Sequence, residues 1–186
     1  MRGYFGIGVE GVSKAANVGA LMRTAHAFDA GFVFTVGADY SRAATAVADT
    51  SNAAAQVPFY AFPDVAGMML PVGCKLVGVE LLDDSVELPS FHHPATAAYV
   101  LGRERGSLTP EMLARCDHVV RIPTRFCVNL AVAGALVLYD RVLSRGRFAP
   151  RPTRPGGPVD EIEGHVHGGV RFRSPERMER FRSDPP

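Results

Sequence analysis

Cysteine is scarce: Cys74, Cys116 and Cys127 are the only three in 186 residues, and they form no CxxC pair and have no histidine at metal-ligand spacing. Neither a disulfide framework nor a zinc site is expected to organise the chain, which reads as a reduced, intracellular, metal-free protein. No run approaches the roughly 20 apolar residues needed to span a bilayer. The opening MRGYFGIGVEG lacks the apolar core of a signal peptide, and a cytoplasmic protein is expected. An excess of one charge is missing too, with 20 basic against 19 acidic residues. The balance holds on both sides of Phe148, with 13 basic and 13 acidic residues up to it and 7 and 6 after it. No global field draws in a polyanion, so a nucleic-acid partner would need basic residues clustered by folding. Lysine is nearly absent: 18 of the basic residues are arginine, beside Lys14 and Lys75. That bias suits bidentate phosphate contacts, and GC-rich coding accounts for it equally well. Finally, no GxGxxG or Walker pattern follows any expected strand, which argues against a general nucleotide-binding α/β enzyme.

What is present is ordinary core material, 47% hydrophobic and 21% charged, enough for one globular domain with a tail. The organising stretch is 118–146, HVVRIPTRFCVNLAVAGALVLYDRVLSRG. Its β-branched start predicts a strand that Pro123 stops, because proline has no N–H for a ladder. TRFCV follows, then Asn129 and an apolar helix closed by Gly146 at a C′-like position. Few polar breaks predict that this helix is buried on much of its surface, with Arg141 and Arg145 complementing the negative end of its dipole. The loop between strand and helix lies where α/β proteins hold ligands, outside the carboxyl end of a strand.

Taken in order, residues 4–9 predict a first strand and 16–27 a helix capped by Ser13 or Asn17. Val18, Leu21, Ala25 and Phe28 make its core stripe. Ala16, Ala20, Arg23 and Ala27 make another face, on which Arg23 is either a solvated surface residue or open to a close partner. Residues 31–37, 57–62 and 75–81 predict further strands, 42–55 a weak helix and 64–70 a short one. Residues 83–94 read as loop, with His92 and His93 solvated. A strand over 97–101 runs into GRERGSLTPEM, where Gly102 and Gly106 let backbone amides approach a ligand. Thr109, Pro110 and Glu111 mark a helix start, with a hydroxyl cap, a proline at the first position and an acid in the first turn. This alternation predicts an α/β fold, a mostly parallel sheet with helices on both faces. After 148 the texture turns rich in proline, glycine and arginine, predicting a flexible tail over 149–186 with a short helix from Ser174 to Phe181. His165 and His167 there lack a third ligand.

Three segments stand in order: NVGALMRTA at 17–25, YVLGRERGSLTPEM at 99–112 and RIPTRFCVNLAVAGALVLYDR at 121–141. Together they resemble the three motifs of the SPOUT methyltransferases, in the SpoU (TrmH-like) branch that methylates ribose 2′-hydroxyls of RNA. The resemblance covers 1–148 and not the tail. It implies a domain whose carboxy-terminal part is threaded as a trefoil knot, which general folding rules would not suggest. It implies S-adenosylmethionine as cofactor, with Val79, Leu101, Gly102, Ile122, Cys127 and Leu130 lining its pocket largely through backbone groups. Where relatives have serine this chain has Cys127, and a thiol is the weaker hydrogen-bonding group. The motif's arginine falls on Arg23 and its asparagine on Asn17, with Glu104 and Asn129 as further polar positions and Arg105 as a phosphate contact. The implied partners are tRNA or rRNA and a second copy of the chain in a homodimer.

The chemistry is in-line attack by a ribose oxygen on a sulfonium methyl, and holding the pair about 3–3.5 Å apart supplies roughly 7–11 kcal/mol of the barrier. A guanidinium with a pKa above about 12 is a poor base. Arg23 is therefore expected to bind the hydroxyl and a neighbouring phosphate and to stabilise the alkoxide as it forms. Two alternatives share the fold: an RNA-binding protein with weak or lost turnover, and a base-methylating enzyme. With no RNA-binding segment evident before Tyr4, a compact substrate such as a tRNA loop is favoured.

Overall fold

The computed structural model describes residues 3–40, 55–103, 106–146, 148–149, 151–152, 155–157 and 175–183. They belong to two compact units, Met1–Arg147 and Phe148–Pro186. In the first, seven described strands form one sheet: β1 Phe5–Glu10, β2 Phe32–Val36, β3 Phe59–Phe62, β4 Lys75–Val79, β5 Val86–Glu87, β6 Ala97–Leu101 and β7 His118–Arg121. Their order is β3-β2-β1-β6-β4-β7-β5, and every neighbouring pair is parallel. Helices α1 Ala15–Ala27, α2 Pro110–Arg115 and α3 Leu130–Arg145 are the α-helices among the described residues of this unit, and α4 Pro175–Ser183 belongs to the second. The expected α/β architecture is present. No described helix is long and apolar enough to cross a membrane.

Both faces of the sheet are covered, as an all-parallel sheet requires. Ile7, Val9, Tyr99 and Leu101 pack under Leu21 and Ala25 of α1 and Val137 and Leu138 of α3. Phe32, Phe34, Ala98 and Val100 meet Met112 of α2 on the other side. The alternation in FGIGVE has a packing cause: Gly6 and Gly8 pair with Phe32 and Phe34 in register. A Cβ on either glycine would come within 2.4 and 2.6 Å of those rings, so the glycines of β1 seat the rings of β2. Gly134 does the same for α3, where a Cβ would meet Leu21 at 2.8 Å and Ile7 at 3.1 Å.

The helix starts at Thr109 and Asn129 are as expected. Thr109 Oγ1 accepts from Met112 N at 3.2 Å, and Asn129 Oδ1 from Ala131 N at 2.9 Å. At α1 the expectation fails, because Lys14 occupies the N-cap position without a side-chain cap and Asn17 lies inside the helix. Residues 64–70 form turns rather than a helix. Asp64 accepts from the Gly67 amide at 2.7 Å, and the Arg115 guanidinium donates to the carbonyls of Val65 and Met68. Side-chain partners there replace helical ones. Residues 83–94, read as loop, carry β5 and a 3₁₀ turn at Leu88–Ser90. The pairing Val86↔Val120 gives two residues a strand that no pattern of that length reveals. Gly146 ends α3 at φ −77°, so its freedom to adopt left-handed conformations is not used. The helix expected over 42–55 lies, apart from Ala55, outside the described residues, as does most of the tail.

Helix α3 departs from expectation on two sides. Its outer face leaves Val132, Leu136 and Tyr139 exposed. On the inner face Arg141 and His93, read as a dipole partner and a solvated ring, are both 0% exposed. Arg141 donates to the carbonyls of Pro94 at 2.7 Å and Ala95 at 2.8 Å and to the Tyr99 hydroxyl at 3.0 Å. It lies 4.6 Å from the centre of the Phe5 ring. A guanidinium only donates, so the Tyr99 oxygen accepts from it and the phenol proton goes to His93 Nδ1 at 2.6 Å. Burial pushes the phenol pKa up to about 12, which keeps that proton in place. His93 then carries its own proton on Nε2 and donates it to Asp140 at 2.9 Å. Sequence patterning missed this chain because its members lie on three elements 6 to 47 residues apart.

Burial holds the His93 imidazole below its ordinary 6.5, against the opposing pull of Asp140. The unfolded chain therefore binds the extra proton more readily than the native one. The stabilising contribution is complete above 6.5 and is lost as pH falls below it. The urea midpoint should drop between about pH 7.5 and about pH 5.5, and His93→Gln should flatten that slope while lowering the midpoint throughout. A wild-type midpoint that stays level or rises on acidification contradicts the neutral ring.

Candidate active site

At the carboxyl ends of β4, β6 and β7 a cavity of about 390 Å³ opens, within the range of small-ligand and cofactor sites. Val79, Glu80 and Leu81 line it after β4, and Leu101, Gly102, Arg103, Gly106 and Ser107 after β6. Ile122, Thr124, Cys127 and Val128 come from the β7–α3 loop, and Leu130 and Ala133 from α3. The three strands are neighbours in the sheet although they are not consecutive in the chain. Adjacency in space is what brings three loops to one opening.

Two carboxylates fix the loop that leaves β6. Glu80 accepts the Leu108 amide through Oε2 at 2.8 Å and its neighbour Leu81 through Oε1 at 2.9 Å. Buried Glu10, at the end of β1, accepts both the amide of Thr109 at 2.8 Å and its hydroxyl at 2.6 Å. Bonds to a charged acceptor are each worth about 1.5–3 kcal/mol. Gly102 lies under this clamp, and a Cβ there would meet Leu108 N at 3.1 Å, Glu80 Oε2 at 3.2 Å and Gly106 O at 3.3 Å. The Arg103 side chain runs over Gly106, its Nε 2.5 Å from where a Cβ would stand, and its Cδ is 3.4 Å from the corresponding point on Gly11. On the third wall, Thr124 folds the β7–α3 loop onto itself, with its amide donating to the Ile122 carbonyl at 2.7 Å and Oγ1 donating to that of Phe126 at 2.9 Å.

All six residues named from sequence for the pocket, Val79, Leu101, Gly102, Ile122, Cys127 and Leu130, line this one cavity. Asn129 caps the helix that contributes Leu130, and its Nδ2 donates to Asn17 Oδ1 at 3.3 Å. Residues 112 positions apart thus join α1 to the cavity edge. Arg23 is exposed on α1, six residues beyond Asn17 and not among the lining residues. Glu104 and Arg105 lie outside the described residues. Sequence reading missed Glu10 and Glu80. The available signal was an acid at the carboxyl end of an apolar strand, where a solvated side chain is the ordinary reading. No group of three or more His, Cys, Asp or Glu suited to a metal occurs among the described residues.

Comparison with known proteins adds an independent line. The model of the SpoU rRNA Methylase family matches residues 5–139. The tRNA (guanosine(18)-2'-O)-methyltransferase of Escherichia coli (strain K12) is 30% identical over 138 residues, 71% of this chain and 60% of the relative. The chain thus spans about 60% of the length of the curated relatives it matches. Among solved structures, the SpoU methyltransferase AviRb from Streptomyces viridochromogenes, in complex with AdoMet, superposes with a TM-score of 0.68 at 20% identity. That match covers 78% of this chain and 59% of that one. An AdoMet-bound rRNA methyltransferase from Sinorhizobium meliloti gives 0.67 at 21%, covering 78% and 58%. At these identities the likeness shows the fold.

The carboxylate clamp makes a prediction of its own. Glu80→Gln places an NH₂ group against one of two backbone donors, so amide exchange at Leu81 or Leu108 should quicken by about tenfold. Exchange within β6 should not change. Hydrogen exchange followed by NMR checks this, and unaltered rates at both amides would show that the clamp does not hold the loop.

Proposed function

The chain belongs to the SpoU rRNA Methylase family, and on that premise we propose that it is an S-adenosylmethionine-dependent methyltransferase. Its target is a ribose 2′-hydroxyl of tRNA or rRNA. The observation that carries the reading is that the six residues assigned to the cofactor line a single cavity at the carboxyl ends of adjacent parallel strands. The names of the family and of the 30% identical relative support the substrate class.

The cavity suits the cofactor. Val79, Leu101, Ile122, Leu130 and Ala133 offer apolar walls, and Gly102 lies where a side chain would crowd backbone and carboxylate groups. S-adenosylmethionine supplies a methyl group activated on a sulfonium centre. Residues 1–148 carry the reaction, with Asn17, Arg23, Glu104 and Asn129 as its polar groups. The Asn17–Asn129 hydrogen bond orients the start of α3. Arg23 holds the attacking hydroxyl and an adjacent phosphate and stabilises the negative charge that develops on the oxygen. The carboxy-terminal part threads as a knot, and the three loops around the cavity are what it would gather.

The chain works as a homodimer in the cytoplasm, without metal or membrane. Support for the dimer is the exposed spacing of Val132, Leu136 and Tyr139 along α3, an apolar stripe with no cover from its own chain among the described residues. In such a dimer Arg23, which is not among the residues lining its own chain's cavity, serves the cofactor of the other copy or of its own.

Arg23→Ala should cut methyl transfer by well over about tenfold while calorimetry finds S-adenosylmethionine bound with near-normal affinity. Arg23→Lys keeps the charge but loses the planar fork, and should recover only part of the activity. Transfer at a tenth of wild type or better in the alanine variant would remove Arg23 from the reaction. In sedimentation, wild type should run as a dimer at micromolar concentration and Leu136→Asp as a monomer; a monomeric wild type contradicts the assembly.

A further inference from the structure

The most exposed phenylalanine or tyrosine ring with a described side chain is Phe126, 77% accessible, in the loop between β7 and α3. Exposing a phenylalanine to this degree forgoes most of the stabilisation that burial would return. The loop that presents it is held, since Thr124 ties the Phe126 carbonyl back to its own hydroxyl. Phe126 also stands between Thr124 and Cys127, both of which line the cavity. Next to it is Arg125, also exposed, and Arg103 is exposed on the cavity wall contributed by the loop after β6. The Arg103 side chain crosses Gly106, where a Cβ would come within 2.5 Å of its Nε, and lies at ordinary contact distance from Gly11.

We propose that Phe126 is a stacking platform for a base of the substrate RNA, with Arg125 and Arg103 taking phosphate oxygens on either side of it. This rests on the RNA-methylating reading above and names the residues that present the nucleotide. A ribose reaches the cavity only if its nucleotide is drawn out of its own stack, and an aromatic face repays the stacking lost. Every base offers such a face, so the platform sets geometry rather than sequence. Exposed guanidiniums on two of the loops around the cavity, Arg125 beside Phe126 in the chain and Arg103 in the cavity wall, favour RNA over a second copy of the chain as the occupant. The surface suited to a second copy is the stripe on α3, which is apolar and carries no arginine between Val132 and Tyr139.

The chain contains no tryptophan, so Phe126→Trp introduces a single reporter at the platform. Titration with single-stranded oligo(U) and oligo(A) ribonucleotides should quench its emission saturably, with or without S-adenosylmethionine. Phe126→Ala should raise the KM for total RNA from cells lacking the protein by roughly tenfold, with cofactor affinity unchanged and Phe126→Tyr restoring the value. Arg103→Ala should weaken RNA binding and lower its salt dependence by about one unit of slope. Emission unaltered at oligonucleotide concentrations that saturate filter binding overturns the proposal. So does a wild-type KM in Phe126→Ala, or a blue shift that grows with protein concentration alone, which would place the ring between copies. If wild type binds no S-adenosylmethionine, the methyl-transfer reading falls, whereas quenching of the Phe126→Trp emission still supports the platform.

Discussion

The grip of Glu10 and Glu80 on the amides of Leu108 and Thr109 is the constraint on which the cavity depends. The two acids stand at the ends of β1 and β4, the strands on either side of β6. The loop leaving β6 therefore meets an acceptor from each neighbour as soon as it clears the sheet. Backbone N–H groups at such a place would otherwise need water or a ligand. With the carboxylates as partners, the stretch at Leu108 and Thr109 is fixed against the sheet, and Gly102 lies beneath it in the wall. A site held open in this way does not spend binding energy on ordering its own loop.

At the other end of the molecule, Arg141 plays the corresponding part for α3. The helix begins at the cavity with Leu130 and Ala133 and ends against the Arg141–Tyr99–His93–Asp140 chain. Its sixteen residues extend about 24 Å at 1.5 Å per residue. A buried guanidinium with three oxygen acceptors admits one seating, because any slip of the helix strands a charge away from water. The helix that carries Asn129 to the cavity edge is thus positioned from its far end. Stability at one end and geometry at the other are linked through a single rigid element.

The surface divides its work in the same manner. The net charge of +1 gives little long-range pull on a polyanion, so the proposed recognition of RNA would be local. Arg103, Arg125 and Phe126 are exposed on two of the loops around the cavity, whereas the large exposed side chains of α3 are aliphatic or phenolic. On the proposed reading, separate chemistries on separate elements would let one molecule meet a polyanion and a second copy of itself without the two competing for the same residues.

Local pattern in the chain was sufficient for the alternation of strands and helices, the cap at Thr109 and the helix start at Asn129, because periodicity, proline and hydroxyl caps act within a few residues; the pocket residues came from the family resemblance. The order of the three motifs in the chain was sufficient for the family. What only the tertiary structure decided was partnership across distance. That β4 lies between β6 and β7, that Glu10 and Glu80 close on one loop, and that His93 and Arg141 are buried together are outcomes of which elements become neighbours. A charged or imidazole side chain looks solvated in any local window, and burial becomes tolerable only when folding delivers its acceptors. The same holds for the outer face of α3 and for Phe126: the sequence makes them apolar, and the packing of everything else leaves them open.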